Sequence, residues 1–141
     1  METILTWGRT MNFASEQLVD WAVFERTRNV LGANFYRAFG YLIEDGERSI
    51  TFAENAIREL NAAQLVLPAH CIKGEALHFG GHRLAKLAAH VEYSARDCVE
   101  MRIKPNELIA YVAHLRPLFN ETMGALTRTI SPLREKRRAA S

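Results

Sequence analysis

The stretch NAAQLVLPAHCIKGEALHFGG, residues 61–81, decides how the chain is read. Asn61 followed three residues later by Gln64 is a capping-box pattern that opens a helix, and Gly80-Gly81 is a stop signal. The spacing predicts a helix running to Phe79. Pro68 lies inside it and removes a backbone donor, so a kink or an irregular first half is expected. Each helical residue turns by about 100°, which sorts the side chains by face. Leu65, Pro68, Ala69, Ile72, Ala76 and Phe79 fall between about 160° and 260° from His70 and form one apolar stripe. His70 should therefore look away from the core. Lys73 and Gly74 fall within about 60° of it and share its face. Val66, Leu67 and Leu77 lie on that side too, where burial in the same core does not explain them, and they are candidate docking residues for a partner.

An outward imidazole with a cation one turn away, a glycine beside it and apolar residues around it suits an anionic group carried by a partner. Phosphoryl transfer is the chemistry that fits. With an ordinary pKa near 6.5, roughly three-quarters of such a histidine is neutral at pH 7 and nucleophilic without a separate base. Lys73 is placed to neutralise phosphoryl oxygens, and Gly74 would let a partner's site approach closely.

Outward from this helix, periodicity predicts an all-helical chain. Asp20 to Leu31 reads as a short first helix, begun by an acidic N-cap and stopped by Gly32. Phe35, Phe39, Leu42, Ile43, Ala53, Ala56, Ile57 and Leu60 recur at helical spacing in a long second helix over 33–60, with Gly46 as its weak point. Leu84, Leu87, Ala88, Val91, Ala95 and Cys98 mark a fourth helix. Leu108, Ile109, Val112, Leu115, Phe119, Met123 and Leu126 mark a fifth, started by Pro105 and expected to kink at Pro117. No alternating pattern competes. The domain reading is a leader over 1–18, a helical unit over 19–126, and a solvated basic tail over 127–141 holding Arg128, Arg134, Lys136, Arg137 and Arg138.

The chain has 141 residues, 48% of them hydrophobic and 24% charged, which suits one hydrophobic core. A net charge of +2 gives no argument for a nucleic-acid partner. Cys71 and Cys98 lack CxxC spacing and suit a reducing compartment, so a cytoplasmic location is expected. Neither a signal peptide nor a membrane-spanning run is apparent, and no membrane partner is expected.

The segment AHCIKGEALHFGGHRLAKLAAHVEYSARD, residues 69–97, resembles the histidine-containing phosphotransfer (HPt) family. AHCIKG is similar to that family's Ala-His-x-Leu-Lys-Gly core, Phe79-Gly80 to its apolar-Gly helix end, and Arg83-Leu84-Ala85 to the start of its next helix. Glu92 stands where the family commonly has Glu or Gln, and Arg96 where some members carry a basic residue. VDWAVFERTRNVLGANFYRAFGYLIEDG, residues 19–46, is similar to the family's opening, so the likeness spans about residues 19–125.

The resemblance implies a four-helix up-and-down bundle with an additional short N-terminal helix. It also implies a phosphorelay intermediate of two-component signalling, a histidine phosphotransferase that takes a phosphoryl group from one receiver-domain aspartate and passes it to another. His70 would be phosphorylated and Lys73 would stabilise the phosphoryl group. Glu92 would accept a hydrogen bond from the other ring nitrogen of His70, and Arg96 would help hold the phosphate. Glu92 and Arg96 lie four apart on one edge of the fourth helix, beside its apolar stripe, which agrees with such a place. The implied partners are response-regulator receivers and a hybrid or separate histidine kinase, and the expected state is a monomer. The module itself would need no cofactor, because Mg2+ belongs to the receiver. Glu75, His78 and Pro68 depart from the family pattern, and Glu75 and Pro68 bear on partner choice.

Other readings make different demands. A non-phosphorylated receiver-binding adaptor would not need His70, Lys73 and Gly74 together. A metal-binding bundle could use Glu75-x-x-His78 and the pair His78 and His82, but a di-iron core needs a second Glu-x-x-His, which the sequence lacks; no metal ligand is assigned. A histidine kinase dimerisation domain should be followed by an ATP-binding domain. No Gly-rich ATP-site segment is present, so autophosphorylation is expected to be absent.

Overall fold

Asp20 starts the first helix as its N-cap, its carboxylate accepting hydrogen bonds from the amides of Ala22 at 3.1 Å and Val23 at 3.3 Å. Helix α1 runs over Trp21–Leu31. A single 3-10 turn, Gly32–Asn34, joins it to the long α2, Phe35–Arg58. Asn61 caps α3, Ala62–Phe79, by accepting from the Gln64 amide at 3.0 Å. Helix α4 spans His82–Met101, and a 3-10 turn over Asn106–Leu108 leads into α5, Ile109–Ala140. The computed structural model describes the backbone of residues 13–140 and the side chains of residues 13–130. Among the described residues the regular structure is helical throughout, with no strand and no helix long and apolar enough to cross a membrane.

The four long helices share one core. Helix α3 packs most extensively on α4 and next on α2, while α5 lies against both α2 and α4. Leu65, Ala69, Ile72, Ala76 and Phe79 are buried on α3 along with Pro68, so the whole stripe opposite His70 faces inward as its spacing predicts. The rings of Phe24, Phe35, Phe39 and Phe79 pack together at centroid distances of 5.6 to 6.1 Å and seat α1 on α2 and α3. Arg116 of α5 grips α2 through both oxygens of Glu54 at 2.9 Å, through Glu47 at 2.6 Å and through the Thr51 hydroxyl at 3.1 Å. Neither Pro68 nor Pro117 interrupts its helix.

Gly80 fixes the α3–α4 corner. Its φ of 82° is a left-handed conformation, and a Cβ there would press on the Asp20 carbonyl. The Asp20 amide donates to the Gly80 carbonyl at 2.7 Å, so the start of α1 rests on this corner. The Thr27 hydroxyl adds a bond to the His78 carbonyl.

Two boundaries lie elsewhere than the sequence reading puts them. Residues 1–12 of the expected leader are outside the described residues, but Phe13 is buried against His90 and Tyr111, and Val19 is buried too. At the other end α5 does not stop at Thr127. Ile130 is buried, Leu126 follows Met123 by three residues and Ile130 follows Leu126 by four, so the same face continues, and the helix runs on to Ala140. Of the expected basic tail, the side chains after Ile130 lie outside the described residues.

Gly46, the weak point of α2 in the sequence, is where α2 meets α5. A Cβ at this position would overlap the Phe119 ring. Gly46→Ala improves helix propensity by about 1 kcal/mol, yet overpacking a fixed ring costs about 1–3 kcal/mol. The expected result is a lower urea midpoint for the variant. An unchanged or raised midpoint would show that Phe119 yields.

Candidate functional site

His70 stands on the outer face of α3 with 53% of its side chain exposed. Its Nδ1 lies 3.1 Å from Glu92 Oε2, across the α3–α4 interface. A carboxylate partner makes Nδ1 the protonated nitrogen, which leaves the lone pair on Nε2. The imidazole is thus oriented from behind while its nucleophilic nitrogen is the one not tied to the carboxylate.

Glu92 is the centre of the arrangement, its side chain only 3% exposed. Beyond His70 it meets the Lys73 ammonium at 2.8 Å on Oε1 and the Arg96 guanidinium at 3.0 and 3.1 Å on Oε2. Burial pushes the Glu92 carboxyl up, but hydrogen bonds from Lys73, Arg96 and His70 outweigh this and hold it below the usual carboxylate range. A buried carboxylate persists in its charged form only with such partners. The sequence placed Glu92 beside the apolar stripe of its helix; the overlying α3 is what buries it.

Lys73 differs from the sequence expectation of a cation presented next to His70. Its side chain is 16% exposed, and its ammonium rests on Glu92 and donates to the Tyr93 hydroxyl at 3.2 Å. Gly74 is exposed, and a Cβ there would meet nothing within 4 Å, so the space above it is open. Leu67 and Leu77 are exposed as expected, whereas Val66 is half-buried and packs against the core. The structure therefore brings His70, Lys73, Glu92 and Arg96 into one cluster, with Gly74 one turn along. Tyr93 belongs to this cluster and was not singled out from the sequence, because only the register of α4 against α3 brings it to Lys73.

On the α2 side of His70 the surface changes character. Phe52, Ala56, Leu67, Pro68 and Cys71 line a groove of about 650 Å³ between α2 and α3. A second hollow is lined by Tyr41, Asp45, Gly74, Glu75 and His78. His78 and His82, the pair a metal-binding bundle could use, have separate contacts: His82 pairs with Glu16 at 2.7 Å, and the His78 ring packs edge-on against Phe79.

Comparison with protein-family models, with curated proteins and with solved structures gives no match for this chain.

Glu75 faces the α2–α3 seam. Its Oε2 is buried without a hydrogen-bond partner, and burial together with the nearby Asp45 carboxylate pushes its carboxyl up to about 7. Asp45 itself is paired with Arg48 at 3.2 Å. A carboxyl with a raised folded-state pKa binds more protons folded than unfolded. Stability therefore declines as pH rises from the ordinary carboxyl value of 4.5 through about 7. At a half-buried site the effect is on the order of 1 kcal/mol after solvent screening. Glu75→Gln should raise the Tm at pH 8 by about 3–5 °C and leave it nearly unchanged at pH 4.5. Equal pH dependence in variant and wild type would remove Glu75 as its source.

Proposed function

We propose that the chain is a phosphoryl carrier of the HPt type, a four-helix up-and-down bundle formed by α2 to α5 with α1 as the additional short helix. The observation that carries this reading is the exposed His70, held through Nδ1 by a buried carboxylate beside open space at Gly74. An exposed histidine on an ordinary helix surface has no need of a carboxylate buried beneath it.

In the proposed step, Nε2 of His70 attacks the phosphorus of a receiver's aspartyl phosphate. The N–P bond forms as the acyl P–O bond breaks, and the bonding pair leaves on the aspartate carboxylate. The proton on Nδ1 stays in place, so the ring becomes a phosphoimidazolium and its new positive charge faces Glu92. The reverse attack by a second receiver's carboxylate completes the relay. The receiver supplies Mg2+, and the bundle supplies a fixed imidazole, so positioning is this chain's main contribution. Arg96 and Lys73 are the cations within reach of the group carried. Leu67, Leu77 and the outer edge of Val66 would meet the receiver, with charges at the rim choosing among receivers. The upstream donor is a hybrid or separate histidine kinase, and the module works as a cytoplasmic monomer.

The test is transfer from a phosphorylated receiver. Wild type should acquire an acid-labile, base-stable label that is lost in His70→Ala, a variant whose circular dichroism should be unchanged because the side chain is exposed. ATP alone should leave no label. A wild type that stays unlabelled yet binds receivers would be an adaptor instead.

For Lys73→Ala, a transfer rate lower by roughly an order of magnitude is expected with the fold intact. An unchanged rate in the same assay would take Lys73 out of the transfer step.

A further inference from the structure

Tyr93 follows Glu92 on α4 and is more than half exposed. The Lys73 ammonium makes three contacts, with Glu92 Oε1 at 2.8 Å, with the Tyr93 hydroxyl at 3.2 Å and with the Tyr93 ring at 4.8 Å from its centroid. A surface lysine usually trails in water, since fixing its flexible stem costs rotamer entropy. Here the stem is fixed. The Lys73 ammonium donates to the Glu92 carboxylate first and to the Tyr93 hydroxyl second, and this raises its pKa above the ordinary lysine range.

We propose that Tyr93 is a positioning residue that holds the Lys73 ammonium on Glu92 while His70 is bare and releases it once a phosphoryl group sits on Nε2. The release half of this inference rests on the phosphoryl-carrier reading. Two anions then compete for one cation. Glu92 keeps His70 and Arg96 on Oε2 after Lys73 leaves Oε1, so the buried carboxylate is not abandoned. The neutral hydroxyl and ring of Tyr93 stabilise the resting position, yet they cannot retain an ammonium against a nearby group carrying close to two negative charges. A held lysine also leaves bare His70 less attractive to free anions than an outstretched one would.

The experiment follows the Lys73 Nζ resonance by nitrogen NMR in the full chain, with Lys73→Arg identifying the signal. Wild type, Tyr93→Phe and Tyr93→Ala are titrated before and after treatment with phosphoramidate, a small phosphoryl donor. In the untreated protein Lys73 should titrate about half a pH unit lower in Tyr93→Phe, which loses one hydrogen bond, and lower again in Tyr93→Ala. In the phosphorylated protein the three should coincide. Equal titration in untreated wild type and Tyr93→Phe overturns the holding role. A difference that survives phosphorylation overturns the release. If phosphoramidate leaves His70 unmodified, the carrier reading and the release fall together, while the untreated titrations still decide whether Tyr93 holds Lys73.

Discussion

Leu65, Ala69, Ile72, Ala76 and Phe79 are all turned into the core, and this burial fixes the rotation of α3 about its axis. Everything at the site follows from that angle. With the stripe inward, His70 and Gly74 face out, and Lys73 swings to the α4 side where Glu92 lies. Turning the helix by one residue would carry His70 into the buried direction that Ala69 occupies. Five or six apolar side chains oppose that rotation together, so the imidazole is held by the packing of residues that never touch it.

Glu92 ties this orientation to electrostatics. A carboxylate with almost no exposed surface must keep its cationic partners or lose its charge. It draws on three side chains from two helices: His70 and Lys73 from α3, and Arg96 one turn along α4. Among the described residues α3 packs most extensively on α4, and the His70 and Lys73 contacts run between the same two helices. Packing and charge thus hold the same pair of helices.

Features set by local pattern were legible in the sequence. Asp20 and Asn61 were recognisable as caps, the α3 stripe as a core face, and Gly80 as a stop, because each depends on residues within a turn or two. The outward direction of His70 came from the same arithmetic, and the pairing with Glu92 from family resemblance. What escaped was through-space. Gly46 read as a weakness because its partner Phe119 lies on a helix much later in the chain. Glu75 met Asp45, and Lys73 met Tyr93, only after two helices were set side by side in a particular register. Val66 leaned on the core for the same reason. The end of α5 was missed by a narrower margin, since Ile130 continues a spacing that had been followed as far as Leu126.

The left-handed corner at Gly80 also bears on the order in which the chain can assemble. The Asp20 amide finds its acceptor at Gly80, and the Thr27 hydroxyl finds its own at His78, partners separated by 51 residues in the latter case. Contacts that span so much chain close only after the entropy of the intervening loop has been overcome, and neither acceptor is in position before α3 has formed and turned. Helix α1 therefore leaves a nascent chain first and is secured only when the corner after α3 is complete.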